Sequence, residues 1–403
     1  MITSYIFWLF VLIGPFVFWF LPAALKFPLL ALFSVGVIAF FDLTSAALLV
    51  GAIIFIDLAL RLDRHNAPMG KRALLALSGL IACHLIIWKL VAVREGVSAG
   101  NIDHNIILPL GISYFSFKLL HFIIDAYIRR ISGYRLDLFS VYIFLPTTFS
   151  AGPIQRYDRF LSDMLPRFDW SHVLHGATRV CYGIIKQFVL VSIILGGLQP
   201  DLSGKALLTE INTLSTGGLW LFLFIFYLKL YLNFSAYTDI AIGTSRLFGF
   251  VIMENFHFPL LATSIDEFWR RWHMTLSDWC REYIYQPILG LFRRPVLAAY
   301  ATFAVIGLWH ALTLNRLIWG LMHGTVLVVY FYLKRKNRRN RRTPRQVGSE
   351  QNSWLHPLTS LKSVWNWGLT QSFVVLSMTA LVVEGNDPVA IGKILLRLFS
   401  ITS

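Results

Sequence analysis

The sequence predicts an all-α, polytopic integral membrane protein, and three observations predict it. Of the 403 residues, 56% are hydrophobic and only 14% charged, against about 45–50% and about 25% in soluble domains. The apolar residues gather in runs of bilayer-crossing length. Loops rich in Lys and Arg alternate with loops nearly devoid of them, as the positive-inside rule requires. The 33 Phe, 15 Tyr and 13 Trp suit a lipid-facing surface with aromatic belts at its edges.

The first run, 5–21, has no basic segment before it and no small-residue cleavage site after it, so it reads as a retained span rather than a cleaved signal. Further spans fall near 28–41, 44–60, 73–93, 106–127, 174–196, 218–234, 296–312, 317–333 and 364–383. Several are shorter than the roughly 20 residues that cross a bilayer squarely, which makes them candidates for tilted or broken helices. Arg61, Arg64, Lys71 and Arg72 mark one side of the membrane, and Arg129, Arg130, Arg135, Arg156, Arg159 and Arg167 fall on it too. The stretches 95–105, 197–218 and 384–390 on the other side are poor in Lys and Arg. This alternation puts the basic loops in the cytoplasm and the N-terminus outside. The organisation expected is one membrane domain, 1–403, with N-terminal spans over 1–105, a core over 106–333, a basic cytoplasmic loop over 334–353 and a C-terminal span over 354–403.

Two segments do not read as simple loops. "LFSVYIFLPTTFSAGPIQRYDRF" (138–160) is apolar and then broken by Pro146, Gly152 and Pro153. "SAYTDIAIGTSRLFGFVIMENFHFPLL" (235–261) is apolar but interrupted by Asp239, Arg246 and Glu254. Both read as re-entrant or interfacial elements. Non-helical backbone at membrane depth survives only when buried in protein or lining a watery cavity, so such segments point to a site.

The net charge of +15 excludes less than it seems to. Eight Lys and Arg sit in one block, "KRKNRRNRRTPR" (334–345), directly after an apolar span. That is a positive-inside loop, which can also touch anionic lipid headgroups. No aromatic-basic interleaving or binding motif accompanies it, so nucleic-acid binding is not indicated. The 3 cysteines form no C-x-x-C pair and read as ordinary buried thiols, with no disulfide framework and no metal site. A nucleophile elbow, a P-loop, H-E-x-x-H and G-x-G-x-x-G are all missing, so hydrolase, ATPase, zinc-protease and dinucleotide chemistry are not signalled.

What remains is histidine. "SIDEFWRRWHMTLSDWCREYIYQPI" (264–288) opens on a capping signal, Ser264 with Glu267 three residues on. Trp269, Trp272 and Trp279 then recur at helical spacing, with Arg270, Arg271 and Arg281 among them. Geometry alone favours an amphipathic helix lying at the membrane interface. Against that reading stands His273, whose neighbours Trp269, Trp272 and Leu276 would desolvate it and keep it neutral. In "VIGLWHALTLNRLIWGLMHG" (305–324), His310 and His323 lie inside apolar runs. A lone intramembrane histidine is most simply one bonded to a nearby carbonyl, yet ionisable groups at membrane depth usually mark function. A neutral imidazole is a good general base for a hydroxyl. Two functional readings follow, histidine-assisted group transfer or proton-coupled transport. A transporter often shows inverted repeats, and none is visible here.

At these residues the chain resembles the membrane-bound O-acyltransferases (MBOAT). The marks are a W-H pair in a hydrophobic segment, here Trp309–His310, and an upstream Asn/His position, here His273. The bacterial branch of alginate O-acetylation is similar over five collinear blocks, at 109–127, 149–160, 233–250, 254–288 and 308–324. Ala311 stands where the family usually has glycine after W-H, and the Gly-Gly-Asn pattern common after this point in that branch does not follow Pro287. The resemblance implies a ring of about ten or eleven transmembrane helices around a tunnel, in a bacterial inner membrane, with the interfacial segments as its cytoplasmic wall. It implies transfer of an acyl group, most simply acetyl, from cytosolic acyl-coenzyme A to an extracytoplasmic polysaccharide hydroxyl, directly or through a secreted acetyltransferase partner. The D-alanyl transfer proteins of teichoic-acid modification share the histidines, so a carrier-protein donor is the alternative. No cofactor is implied, since acyl-coenzyme A would be a substrate. His310 would be the base, with His273 orienting the donor carbonyl or sharing the acid–base role. Arg270, Arg271 and Arg281 would attract the coenzyme phosphates, and Trp269 and Trp309 would line the tunnel and exclude water. His323 reads as a supporting polar group. Asp239 reads as a partner of a histidine or arginine, or as a helix-terminal polar group. Asn255 and His257 read as lining the cytoplasmic mouth or as loop caps. Gln155 and Arg156 read as holding the re-entrant turn.

Overall fold

The computed structural model describes residues 4–64, 68–94, 111–131, 134–165, 167–198, 204–340 and 360–400. The loop 95–105, the start of the span expected at 106 and residues 341–353 of the basic block lie outside the described residues. Along the chain run α1 Tyr5–Phe20, α2 Ala23–Phe41, α3 Leu43–Arg64, α4 Pro68–Arg94, α5 Ile112–Tyr127, α6 Leu136–Phe144 and α7 Tyr157–Ser162. Next, α8 Trp170–Ile184 continues through a π-helical stretch, Ile185–Leu195, into α9 Gly196–Leu198. Then come α10 Gly204–Thr213, α11 Thr216–Leu247, α12 Ile265–Trp269, α13 Met274–Cys280, α14 Gln286–Phe292, α15 Pro295–His310, α16 Leu314–Asn340, α17 Leu361–Ser377, α18 Thr379–Val382 and α19 Pro388–Leu398. Among the described residues no β-strand forms beyond one isolated bridge, Met164 with Phe250.

Six helical stretches are long and apolar enough to cross a membrane: 23–41, 43–63, 69–94, 170–198, 216–247 and 314–337. Two shorter apolar helices, α1 and α15, add to them. Phe16, Phe20, Leu32, Phe40 and Leu80 stand exposed on the N-terminal helices, as a lipid-facing surface requires. The protein is therefore a multi-pass, helical membrane protein. Two expectations change. Residues 235–247 are not a re-entrant segment but the second half of α11, a single helix of 32 residues. The basic block does not begin as a loop, because α16 carries its helix through Lys334, Arg335 and Lys336.

The chain divides into two compact units, one of residues 1–192 with 232–254, the other of 193–231 with 255–403. In the first unit, α1 to α7 pack around Phe7, Phe10, Phe122, Phe139, Tyr142 and Phe250, all buried. The broken stretch after α6 is held from α5. Lys118, 1% exposed, donates to the Tyr142 carbonyl at 3.2 Å and to the Thr148 hydroxyl at 3.0 Å. This satisfies carbonyl oxygens that the interrupted helix leaves over. His121 contacts the Phe117 carbonyl through Nδ1 at 3.2 Å, which leaves Nε2 to accept from the Tyr157 amide at 3.3 Å. Gln155, also 1% exposed, accepts the Met253 amide at 2.9 Å. Gln155 therefore holds the turn, as its position after "AGP" predicts.

Glycines bring α8 against the second half of α11. A Cβ on Gly176 would come within 2.8 Å of the Gly243 carbonyl, and one on Gly243 within 2.6 Å of the Gly176 carbonyl. Small residues at a membrane helix crossing allow this backbone approach. The approach sets Arg179 and Lys186 over Asp239, at 2.5 and 2.6 Å. Arg179 also pairs with Glu254 at 2.6 Å. Asp239, 3% exposed, is thus a fully paired buried carboxylate, and the lysine among its partners was not foreseen. Lys186 lies in the π-helical stretch, a departure from α-geometry that often accompanies a functional constraint.

Candidate active site

His273, His310 and His323 belong to the second unit, His273 between α12 and α13, His310 at the end of α15 and His323 on α16. The segment 264–288 is not one continuous amphipathic helix. Ser264 caps α12 by accepting the Glu267 amide at 3.2 Å, and the Glu267 carboxylate returns to the Thr263 amide at 2.7 Å. Burial raises the Glu267 pKa, but the Thr263 amide and hydroxyl and the Arg271 guanidinium outweigh it and hold the carboxyl below its usual range. After one turn the helix stops. His273 takes a left-handed conformation, φ 42°, and a new helix, α13, begins at Met274. Two backbone bonds make the break: His257 donates to the Arg271 carbonyl at 2.9 Å, and Met274 donates to the Asn255 carbonyl at 2.9 Å. Positive φ strains a non-glycine residue, and such strain persists only where surroundings enforce it. Asn255, wholly buried, adds a bond from the Thr275 hydroxyl at 2.6 Å. It organises the backbone at His273 rather than capping an open loop.

The break turns the His273 imidazole inward, where it is 2% exposed. Burial pushes its pKa down to about 3, so the ring is neutral at physiological pH. This matches the desolvation expected from its neighbours.

His310 stands at the C-terminal end of α15. It is exposed, unlike His273 and His323. The run before it is apolar, but α15 ends at this residue and Ala311 turns away in extended conformation. Trp309 lies between the two histidines, its ring centroid 6.0 Å from that of His273 and 4.8 Å from that of His310. On its other side His310 meets Trp319, at 5.5 Å. Trp319 in turn meets His323, one helical turn on, at 4.8 Å. His323 is wholly buried, with Nε2 3.0 Å from the Ser377 hydroxyl. That hydroxyl donates to the Val374 carbonyl at 2.7 Å, so it accepts from His323, and Nε2 carries the proton. His323 is thus a buried, hydrogen-bonded imidazole of α16.

Glycine again sets the spacing. A Cβ on Gly307 would run into the Arg316 carbonyl oxygen, and one on Gly320 into that of Phe303. The two backbones of α15 and α16 therefore touch, which aligns His310 with Trp319. Asn315 and Arg316, in the first turn of α16, bond the carbonyls of Val383 and Ala380 at 2.9 and 2.8 Å.

The remaining expected residues separate. Trp269 packs on Phe303 at 5.0 Å and on His323 at 5.3 Å, beside the buried imidazole rather than the exposed one. Arg271 is buried and paired with Glu267 at 2.6 Å, so it serves the fold. Arg270 and Arg281 stay exposed, each in a surface pair, with Asp266 and Asp278 at 3.0 Å. Asp239 belongs to the first unit, bound as described. Sequence reading missed Trp319 and Ser377. Trp319 was findable, because it precedes His323 by four residues on a helix. Ser377 carries no signal. Among the described residues no group of three or more His, Cys, Asp or Glu is placed to hold a metal ion.

A helical membrane protein with an imidazole-bearing tryptophan cluster at a helix end is the class that fold and site define. The chain belongs to the membrane-bound O-acyltransferase family, whose pattern it matches over residues 80–355. It is 34% identical over 240 residues to the probable alginate O-acetylase AlgI of Azotobacter vinelandii, covering 58% of this chain and 46% of that protein. It is 28% identical over 316 residues to the teichoic acid D-alanyltransferase of Streptococcus thermophilus, covering 75% of this chain and 74% of that protein. It is 27% identical over 349 residues to the peptidoglycan O-acetyltransferase of Helicobacter pylori, covering 75% and 63%. The chain spans about half the length of the alginate O-acetylases it matches.

Proposed function

We propose that this chain is a membrane O-acyltransferase of a bacterial inner membrane. It moves an acyl group, most simply acetyl, from cytosolic acyl-coenzyme A to a hydroxyl of an extracytoplasmic polysaccharide, directly or through a secreted partner. The observation that carries this reading is the position of His310: accessible at a helix end, flanked by Trp309 and Trp319, within the matched family region. An accessible imidazole can meet two substrates, and the indole walls limit water, which would otherwise hydrolyse a thioester. The His310 imidazole takes the acceptor hydroxyl proton while that oxygen bonds to the thioester carbonyl carbon. The carbon–sulfur bond then breaks, and the departing thiolate recovers the proton from the imidazolium. His273, neutral and held in place behind Trp309, positions Trp309 and the donor. Arg270 and Arg281 are the exposed cations left to attract the donor phosphates. The test is donor turnover by wild type and His310→Ala at equal folded yield. Loss of a positioned base costs roughly 10²–10⁴-fold in rate, and unchanged turnover overturns the role given to His310.

A second reading has one observation in its favour. The teichoic acid D-alanyltransferase relative is matched over a larger share of its length than the alginate O-acetylase is. The same proton transfers serve a D-alanyl thioester on a carrier protein. Supplying purified protein with labelled acetyl-coenzyme A or with D-alanyl carrier, each with its acceptor, separates the two donors.

A further inference from the structure

A cavity of about 470 Å³ opens in the first unit, lined by Arg167, Phe168, Asp169, Trp170 and His172. It lies at the start of the apolar helical stretch 170–198, which is where a span meets the membrane surface. Trp170 is 70% exposed and Phe168 45%, and their rings contact at 5.2 Å. Exposed aromatic rings of this kind belong at a headgroup boundary. Behind the cavity, Arg246 contacts His172 Nδ1 at 3.3 Å through Nη2, and its buried Nε has no partner. Among the described residues neither Arg246 nor Arg167 pairs with a carboxylate. Asp169, the one acid in the lining, is occupied as the cap of α8, accepting the Ser171 amide at 2.8 Å.

A guanidinium is charged at every accessible pH, and a partly buried one without a counter-ion is unfavourable. Arg246 sits in the last turn of α11, where the helix dipole offers about half a negative charge. That only partly offsets the Arg246 guanidinium, and the exposed Arg167 adds a second positive charge at the cavity. Asp169 is the lining's one carboxylate, fewer than the cations around it, and a phosphate is an anion whose oxygens suit guanidinium forks and an imidazole N–H.

We infer that this cavity binds the phosphate of an anionic phospholipid headgroup, with Arg167 in its lining and Arg246 behind His172 as the cationic groups, and Phe168 and Trp170 against the upper acyl region. The full chain, in nanodiscs containing phosphatidylcholine with or without phosphatidylglycerol, tests it by native mass spectrometry of retained lipid after detergent exchange. Wild type retains phosphatidylglycerol over phosphatidylcholine, and Arg167→Gln and Arg246→Gln each lower that retention roughly tenfold or more, as expected for loss of a charge-assisted bond. Arg167 is exposed, so its substitution does not test folding, and thermal stability equal to wild type qualifies Arg246→Gln. Equal retention in wild type and both variants overturns the inference. Displacement of the lipid by millimolar inorganic phosphate also overturns it, in favour of a soluble phosphate ligand.

Discussion

His273 is the residue whose chemistry depends most on its surroundings. Near-complete burial keeps its ring neutral, with its pKa pushed well below the ordinary histidine value. The unfolded chain protonates that ring near about pH 6.5. Below that pH the unfolded state binds a proton that the folded state refuses, so stability falls as the pH drops; above it this residue contributes no pH dependence. Thermal melts followed by tryptophan fluorescence should show a lower midpoint at pH 5 than at pH 7. His273→Gln, which keeps a polar side chain and cannot take a proton, should reduce that difference. An unchanged slope in the variant would show that some other group governs it. His273 and His310 therefore differ in setting, one buried and neutral, the other exposed, although the sequence presents both as histidines beside tryptophan.

At the scale of elements, close backbone contact does the positioning. The α15–α16 crossing depends on Gly307 and Gly320, each facing a carbonyl of the other helix. Gly320→Ala places a methyl group where a carbonyl oxygen already lies, and the helices must separate. Overpacking of this kind costs roughly 1–3 kcal/mol. The expected result is a lower melting temperature and reduced acyl transfer, since His310 and Trp319 move apart. Gly290, whose added Cβ would meet nothing within 4 Å, is the control, and Gly290→Ala, inside helix α14, should lower neither. The W-H pair and the tryptophans were legible from sequence because apolar and aromatic periodicity is local. The helix break at His273 was not, because it rests on bonds from residues 255–257, and no propensity at 271–274 announces it.

For the whole molecule, the alternation of basic and non-basic loops carries a topological prediction. Arg293, between α14 and α15, belongs to a basic loop, and Asn386, between α18 and α19, to the opposite set. In a cysteine-free background, a cysteine at Asn386 should react with a membrane-impermeant maleimide in intact cells. One at Arg293 should react only after the membrane is opened. The reverse pattern would invert the orientation read from charge. The expected spans near the N-terminus, 28–41, 44–60 and 73–93, all appear as helices, because hydrophobicity over about 20 residues is itself the physical requirement for crossing a bilayer.

The sequence by itself determined the membrane class, the approximate helices and the family, because each rests on local composition or on residues read in order. It also placed His273, Trp309, His310 and His323 among the candidates. Only the tertiary structure decided which histidine is open and which closed, that Arg271 is tied to Glu267 while Arg270 stays exposed, and that Asp239 answers to Arg179 and Lys186. Burial and charge pairing are properties of residues brought together from distant parts of the chain, and hydrophobic patterning along one helix does not specify what faces it.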